Sequence, residues 1–344
     1  MASTCTFNSD QAGASTRVLA RQLGIAKNWT GSALGQRVII VGIGMAGAVH
    51  VKALEDLPGV ALVAGVDTDP RALTFRGVQK PIYPSLFDAT SQRCINPDIV
   101  VVATPTSTHT KICGEIAEYY QDASILVEKP AADNLGDARR IVCGIGGKQP
   151  VTVAYHMAFS PVVEWGLREV TAREDQIGTP VSVEAWCADP YQAELACARE
   201  RLGNSWIDSG INALSVIERF VRPVERTSLR PIGSLSQSIF EGTFACDAGG
   251  KLIPASIMTS WYSTAPSRWT KIVYSSGAEL VMDHNAVAGY IRQNGEAAAV
   301  FGSDGFTPRR EAHYKALYRS WLVNQEDIFS ADTSMRLHEL LLAD

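Results

Sequence analysis

The sequence predicts an α/β domain with a doubly wound parallel sheet, followed by an α+β domain with a large, mainly antiparallel open sheet. Up to about residue 156, short β-branched runs alternate with segments long enough for helices. Beyond that point, strand-like stretches follow one another directly. The chain has 344 residues, more than one ordinary hydrophobic core supports. We expect an extension over 1–36, a first domain over 37–156 and a second over 157–344.

The first domain is predicted from nearly continuous apolar strands with helices between them. Such strands are typical of a parallel sheet that is covered on both faces. The predicted strands are 37–41, 61–67, 98–104, 124–130 and 150–156. The predicted helices are 47–57, one that begins at Asp69, 109–120, and one from about Asp133 to Gly146.

The first predicted strand runs directly into "GIGMAG", a complete G-x-G-x-x-G motif between a strand and a helix. Gly42 allows a tight turn, Gly44 lets the backbone approach a pyrophosphate, and Gly47 allows close packing of helix on strand. Met45 and Ala46 open the helix, whose N-terminal N–H groups favour an anion. The motif predicts a dinucleotide-binding Rossmann domain, with a turn that binds no nucleotide as the alternative.

Asp67 ends the second predicted strand, where a carboxylate accepts hydrogen bonds from ribose hydroxyls. The same charge repels a 2′-phosphate, so the expected cofactor is NAD. NADP stays open because Arg71 and Arg76 follow shortly after.

Two further strand ends carry polar side chains, in "ATPTSTH" (103–109) and "EKP" (128–130). Ligands of doubly wound sheets bind beyond the carboxyl ends of the strands, so both segments are expected in the cleft. Pro130 restricts Lys129 to an extended conformation that aims the ammonium across the cleft. A solvated surface lysine is the alternative.

The second domain is predicted from consecutive strands without intervening helices, which favour antiparallel pairing. A sheet with helices on one face leaves the other face open, and we expect a homodimer through it. The predicted helices are 160–170, 205–221, 313–323 and 334–343, and the predicted strands are 181–189, 234–250, 251–263, 268–277 and 278–284.

The stretch "IDSGINAL" (207–214) has helical apolar spacing but carries two polar groups on the flank of its apolar stripe. Asp208 and Asn212 are four residues apart, so a helix places them beside one ligand. Gly210 between them costs about 1 kcal/mol relative to alanine in a helix, which indicates close approach of a ligand. Alternatively, Asp208 is a helix cap and Asn212 a surface amide.

Composition excludes several classes of protein. A net charge of -5 argues against a nucleic-acid partner, and no apolar run approaches the ~18 residues of a membrane span. The seven cysteines form no CxxC pair, which predicts reduced thiols in a cytoplasmic protein and no metal site. Residues 1–36 are small and polar and are expected to be flexible. His50 and His284 are expected to be packing or surface histidines.

Together, the glycine motif, the "TP…H" segment, "EKP" and the D-x-G-x-N helix resemble the glucose–fructose oxidoreductase, inositol dehydrogenase and MocA (Gfo/Idh/MocA) family. The resemblance implies that Lys129 exchanges a proton with the reacting hydroxyl or carbonyl. It implies that Thr104, Pro105 and His109 belong to the segment on the nicotinamide side. It also implies that Glu128 helps to hold the cofactor.

Within this family, Asn212 stands where many members have a histidine, and "YHMAFSP" (155–161) also resembles the aldose 1-dehydrogenase branch. That branch implies that His156 contacts substrate and that Asp189 lies near a sugar-binding segment. The segment "YQAELACARERLG" (191–203) departs from the branch, which leaves the identity of the sugar open.

The resulting hypothesis is an NAD(P)-dependent enzyme that oxidises the anomeric C1 hydroxyl of a galactose- or arabinose-like aldose. An ordinary lysine, with a pKa of about 10.4, is protonated at neutral pH, so Lys129 is expected to act through desolvation or a proton relay. Asp208 and Asn212 would bind and orient the sugar. The alternatives are a ketosugar reductase or inositol-type dehydrogenase, an NAD-retaining glycosidase, and a non-catalytic sugar sensor.

Overall fold

A computed structural model describes residues 35–69, 80–91, 95–145, 149–233, 238–323 and 329–343. The predicted extension 1–36 lies almost wholly outside these ranges, as do Arg71, Arg76 and the helix expected after Asp69. The described residues from Gln36 onward form one compact unit that contains two sheets. The expected boundary at 156/157 falls between the sheets and stays a prediction.

The first sheet has six parallel strands in the order β3-β2-β1-β4-β5-β6. All four residues of β4 are buried, as a strand covered on both faces requires. This confirms the predicted doubly wound Rossmann sheet. The strands are β1 (Gln36–Val41), β2 (Val60–Val66), β3 (Ile82–Tyr83), β4 (Ile99–Val102), β5 (Ser124–Glu128) and β6 (Val151–Ala154).

Three of the predicted helices begin within two residues of their expected starts, whereas the short helix at Leu86–Ser91 was not predicted. The helix expected from about Asp133 begins at Leu135: Asn134 is the N-cap, and its Oδ1 accepts a hydrogen bond from the Asp137 amide at 2.9 Å. The helices are α1 (Met45–Glu55), α2 (Leu86–Ser91), α3 (His109–Tyr119) and α4 (Leu135–Val142).

The second sheet has eight strands in the order β14-β13-β12-β11-β7-β10-β9-β8. Every neighbouring pair is antiparallel except β7 and β10, which confirms the predicted mainly antiparallel sheet. Its strands are β7 (Pro180–Pro190), β8 (Arg222–Pro231), β9 (Ile239–Asp247), β10 (Leu252–Ser260), β11 (Tyr262–Tyr274), β12 (Glu279–Asp283), β13 (Ala288–Gln293) and β14 (Glu296–Phe301).

Of the remaining helices, those at 161–172, 211–218 and 331–342 contact the second sheet. The helix at 309–318 packs against α1, and the helix at 331–342 packs against α4. None of the helices in the described ranges has the length and apolar character that a membrane crossing requires. These helices are α5 (Pro161–Ala172), α6 (Glu174–Ile177), α7 (Leu195–Leu202), α8 (Ile211–Glu218), α9 (Arg309–Tyr318) and α10 (Ala331–Leu342).

The helix expected over 205–221 is not uniform. A π-helical turn spans Trp206–Gly210, and only then does α8 begin. The Trp206 indole is buried, and it stacks on Phe244 with ring centroids 6.0 Å apart. A Cβ on Gly210 would lie 3.1 Å from this indole, so close packing on Trp206, not approach of a ligand, explains the glycine.

The wedged indole yields a test of stability. A Cβ on Gly242 in β9 would lie 2.5 Å from Trp206 Cη2, so Gly242→Ala forces this buried ring to move. We expect a loss of about 1–3 kcal/mol in the free energy of unfolding, the usual cost of overpacking. Thermal denaturation checks this.

The matched control is Gly114→Ala in α3, where nothing lies within 4 Å of the added Cβ. This variant should gain up to about 1 kcal/mol through helix propensity. A Gly242→Ala protein that melts at or above the wild-type temperature would show that Trp206 is not tightly wedged.

Candidate active site

The glycine motif forms a tight turn at the carboxyl end of β1. Gly42 has φ of 87°, and a Cβ there would lie 2.8 Å from the Ala103 carbonyl oxygen. A Cβ on Gly47 would lie 2.0 Å from the Gly42 oxygen, which explains the close packing of α1 on this turn. Among the described residues, nothing lies within 4 Å of a Cβ on Gly44, so they leave this side of the turn open to a ligand.

The turn also offers the groups that a dinucleotide needs. Gly44 caps α1 without a side chain, which leaves the N–H groups of the first turn for an anion. Met45 at the start of α1 is 57% exposed. Asp67 Oδ2 accepts a hydrogen bond from the Ile43 amide at 2.6 Å, and Oδ1 accepts one from the Asp69 amide at 2.8 Å. Each carboxylate oxygen keeps acceptor capacity for a ribose hydroxyl, so these residues fit NAD.

The segment after β4 is held by a buried histidine. One ring nitrogen of His109 faces the Thr104 carbonyl at 2.9 Å and the other faces the Ala131 carbonyl at 3.0 Å. Burial lowers the pKa of His109, although both carbonyls favour its protonated form. His109 is 1% exposed and ties the loops after β4 and β5 together, whereas the expected position of Thr104 and Pro105 on the nicotinamide side stays a prediction.

Glu128 at the end of β5 is also buried. Its Oε1 accepts hydrogen bonds from His50 Nε2 at 2.9 Å and from the Tyr314 hydroxyl, while Oε2 accepts one from the Lys129 amide at 3.2 Å. Burial raises the pKa of Glu128, but the bonds from His50 and Tyr314 outweigh it and the net direction is down. His50 also bonds the Tyr318 hydroxyl at 2.7 Å, so it is a packing histidine.

Lys129 and Asp208 meet between the two sheets. Lys129 Nζ donates to the Asp208 carbonyl at 2.9 Å and lies 3.5 Å from Asp208 Oδ1. The two side chains are 12% and 14% exposed, so Lys129 is not a solvated surface lysine. Asp208 lies inside the π-helical turn and is not its cap. The Lys129–Pro130 peptide bond is cis.

Asn212 follows one turn later in α8. It is 5% exposed, so the alternative of a surface amide does not hold. Within the described ranges, its buried Oδ1 has no hydrogen-bond donor. A buried acceptor without a donor is costly unless a ligand supplies one.

Asp189 in β7 lies deeper than expected. Its Oδ1 forms an ion pair with Arg268, and its Oδ2 accepts a hydrogen bond from Ser209 Oγ at 3.3 Å. Asp189 is 3% exposed, and its bond to Ser209 places it against the π-helical turn that contains this serine. The direct sugar contact expected for Asp189 stays a prediction.

His156 stacks on two rings of α9. Its ring centroid lies 4.6 Å from that of Tyr314 and 5.7 Å from that of His313. Burial, then the neighbouring His313 and the charge of Lys129, lower the pKa of His156 well below its usual value. Its buried Nδ1 has no partner among the described residues. His156 is therefore a neutral ring close to Lys129, and its contact with substrate stays a prediction.

Several residues near the site were not predicted. Arg309 and Arg310 open α9, although the helix dipole disfavours cations there, and this was a readable signal of function. Tyr191 lies close enough to Asp208 for that charge to help raise its pKa, after the effect of burial. For Arg268 no sequence pattern gave a signal.

The last helix described, α10, completes the site from behind. Its His338 accepts a hydrogen bond from the Ala131 amide at Nε2, 3.0 Å, and Nδ1 donates to the Ser334 carbonyl at 2.7 Å. These partners fix a neutral ring, and burial lowers the pKa of His338 to about 4. From the same helix, the Leu341 carbonyl accepts a hydrogen bond from Trp206 Nε1 at 2.9 Å.

This combination of a parallel sheet, a glycine turn and an acidic second strand defines a Rossmann-type dinucleotide-binding domain. Residues 36–154 match the model described as "Oxidoreductase family, NAD-binding Rossmann fold" (GFO_IDH_MocA). The match covers less than half of the chain and identifies its first sheet, with the helices around it, as an NAD-binding Rossmann fold. No curated protein sequence matches the chain.

Solved structures share the fold over both domains. An oxidoreductase from Agrobacterium radiobacter, in complex with NAD+, L-tartaric acid and magnesium, has a TM-score of 0.71 and 15% identity over 90% of this chain and 94% of its own. A myo-inositol dehydrogenase from Corynebacterium glutamicum has a TM-score of 0.70 and 22% identity, over 90% of this chain and 95% of its own. A UDP-N-acetylglucosamine 3-dehydrogenase from Acidithiobacillus ferrooxidans has a TM-score of 0.69 and 16% sequence identity, over 89% of this chain and 96% of its own. At these identities the likeness concerns the fold.

The neutral His338 yields a prediction about pH. Its pKa in the folded protein, about 4, lies below the ordinary 6.5, so its contribution to stability is complete above pH 6.5 and is lost as the pH falls to about 4. His338→Gln keeps an acceptor for the Ala131 amide but does not titrate. From pH 7 to 4, we expect wild type to lose about 3 kcal/mol of unfolding free energy relative to this variant.

Urea unfolding at a series of pH values measures this difference, and a constant offset between the two proteins does not affect it. Lys111→Gln, at an exposed position of α3, should follow the wild-type curve. If the His338→Gln and wild-type curves ran parallel from pH 7 to 4, the neutral state of His338 would be refuted.

Proposed function

We propose that this chain is an NAD(P)-dependent dehydrogenase that oxidises the anomeric C1 hydroxyl of a galactose- or arabinose-like aldose to a lactone. One observation carries the proposal: Lys129 Nζ is held 2.9 Å from the Asp208 carbonyl at the carboxyl edge of the parallel sheet. The glycine turn of β1 lies at the same edge, because β1, β4 and β5 are parallel neighbours. A proton-transfer group and a hydride acceptor would thus meet there.

The chemistry requires two transfers from the sugar. NAD, when bound, accepts the hydride from C1. The proton of the C1 hydroxyl goes to Lys129, whose Nζ passes a proton onward to a ribose hydroxyl or to water. Fixed positioning of both groups supplies much of the rate enhancement. The buried position of Lys129, 12% exposed, keeps bulk water away from the reacting atoms.

The neighbours of Lys129 would orient the sugar. Asp208 accepts hydrogen bonds from sugar hydroxyls while it holds the ammonium in place. The donor-free Oδ1 of Asn212 would accept a hydrogen bond from a sugar hydroxyl, and the neutral ring of His156 offers a further contact. Since an amide does not titrate, Asn212 positions the hydroxyl and leaves the proton to Lys129.

A second candidate is oxidation of an inositol or reduction of a ketosugar by the same lysine. The likeness to a myo-inositol dehydrogenase is the reason to include these compounds in any test. A non-catalytic sugar sensor needs no positioned lysine, so the Lys129–Asp208 contact favours an enzyme. We place the reaction in the cytoplasm, where the thiols would stay reduced. Cys113, Cys187 and Cys246 are buried and free.

Initial rates with aldoses, ketosugars and inositols, each with NAD and with NADP, test the proposal. We expect an aldose to reduce NAD, and Lys129→Ala to lower kcat by about 10²–10⁴-fold, the usual contribution of a general acid–base. The Lys129 ammonium bonds Asp208, which we assign to the sugar. The affinity of this variant for NAD, measured by tryptophan fluorescence, should therefore change little.

Lys111→Ala, an exposed lysine of α3, is the control and should keep wild-type rates. Tight NAD binding without turnover of any compound would support the sensor. Near wild-type turnover by Lys129→Ala would remove the lysine mechanism, and a strong preference for NADP would overturn the role of Asp67.

We also propose that the chain forms a homodimer through the open face of the eight-stranded sheet. On that face Trp186 of β7 pairs with Trp269 of β11 and with Met258 of β10. All three side chains are only partly buried and lie on central strands. A stripe of aromatic and methionine side chains is typical of the centre of a protein interface.

Sedimentation equilibrium tests the dimer. Trp269→Glu places a charge in the middle of the stripe, and we expect it to shift the protein from dimer to monomer because a charge buried at an interface has no partner there. Phe87→Glu, an exposed position on α2, should leave the dimer intact. A wild-type monomer, or an unchanged dimer with Trp269→Glu, would contradict the proposed interface.

A further inference from the structure

A chain of polar contacts leads away from Lys129 into the second domain. Lys129 bonds Asp208, and the next residue, Ser209, donates to Asp189 Oδ2 at 3.3 Å. The other oxygen of Asp189 forms the buried ion pair with Arg268. Arg268 is thus fixed relative to the reacting end of the cleft.

Arg309 lies at the far end of this chain of contacts. The Oδ1 of Asn285 accepts hydrogen bonds from Arg309 Nη1 at 2.7 Å and from Arg268 Nη1 at 3.3 Å. Arg268 is 8% exposed, and its Nη2 donates a hydrogen bond to Asp189 Oδ1. Arg309 is paired with a neutral amide and, within the described ranges, forms no ion pair. Its remaining N–H donors are available for a ligand.

Positive charge exceeds negative charge around Arg309. Burial, with the charges of Arg268 and Arg310, lowers the pKa of Arg309 to about 10, and Asp189 opposes this only in part. Arginine normally stays charged well above that value. An anion beside Arg309, in addition to the Asp189 carboxylate, would reduce the electrostatic repulsion among the three arginines.

The surrounding histidines add no charge of their own. Burial, then Arg268 and Arg309, lower the pKa of His284 to about 3, and burial, then His284 and Arg309, lower that of His313 well below its usual value. Both side chains are almost completely buried, and each has one ring nitrogen without a side-chain partner in the part of the chain that the structure describes. The cationic character of this region comes from the guanidinium groups alone.

His156 connects the surroundings of Arg309 and Lys129, because its ring stacks on His313 and Tyr314 of α9, the helix that Arg309 begins. The charges of Lys129, Arg309 and Arg310 all contribute to the lowered pKa of His156, after burial and His313. Pro308 caps α9 without a side-chain hydrogen bond, so N–H groups of the first turn add positive potential at Arg309. Lys129 and Arg309 are therefore two cationic groups close enough to the same ring, that of His156, to affect its protonation.

We propose that the sugar bound here carries an anionic group, a carboxylate or a phosphate, remote from C1, and that Arg309 binds it with support from Arg268 and Arg310. This rests on the proposed function, because it names the substrate class of the same site. The free guanidinium donors of Arg309 match the two oxygens of a carboxylate or phosphate. Asp189 then serves to hold Arg268 and has no need to touch the sugar.

Calorimetric titration of the NAD-loaded full-length protein tests this without relying on turnover. The probes are matched pairs: D-galacturonate with D-galactose, D-glucuronate with D-glucose, and each 6-phosphate with its parent sugar. We expect wild type to bind at least one anion about 10–100-fold more tightly than its neutral partner, as a charge-assisted hydrogen bond would give. Arg309→Gln should reduce this ratio to near one.

Arg140→Gln, an exposed arginine of α4, is the control and should keep the wild-type ratio. The uronate and phosphate arms distinguish the two anions. Equal or weaker binding of every anion by wild type, or a ratio unchanged in Arg309→Gln, would overturn the proposal. Turnover of the same pairs is followed separately: anion binding without turnover would defeat the dehydrogenase, whereas oxidation of neutral sugars alone would defeat the anion site.

Discussion

The contact between Lys129 and Asp208 is the interaction on which the arrangement of the site depends. It joins the end of a Rossmann strand to a π-helical turn of the second domain, and both side chains are mostly removed from water. An unpaired ammonium at such a position would be costly, so the two halves of the cleft have a strong electrostatic reason to stay closed at this point. Directly next to Lys129 in sequence, the buried Glu128 carboxylate accepts hydrogen bonds from His50 and Tyr314, so this buried acid also has buried partners.

Much of the fold was predictable, because its signals are local. The apolar strands and the glycine motif specify the parallel sheet without knowledge of distant contacts. The strands that escaped prediction lie at or next to sheet edges. The edge strand β8 contains Pro223 and Pro231, residues that weaken the sequence signal of a strand, and edge strand β14 exposes most of its residues. A period-2 pattern is weak where neither face is fully buried, so these segments resemble loops in sequence.

The candidate site was predictable where topology alone places a residue, and not where packing does. Lys129 follows from the rule that ligands bind beyond the carboxyl ends of parallel strands. The π-helical turn around Asp208 depends on how Trp206 packs on glycines distant in sequence, and no local pattern reports this. Arg268 and Arg309 come together only because β11 and α9 converge on Asn285, a contact that the spacing of residues in the sequence cannot express.

The contacts of α10 have a consequence for the order in which the protein is made. Its His338 holds the backbone just after Lys129, and its Leu341 receives the hydrogen bond of Trp206 at the base of the turn that carries Asp208. Synthesis proceeds from the N-terminus, and domains fold as they emerge from the ribosome. The Rossmann sheet can therefore form early, whereas the loop that carries the lysine gains its final support only after more than 200 further residues have been translated. The candidate site is therefore completed only once the C-terminal helix α10 is in place.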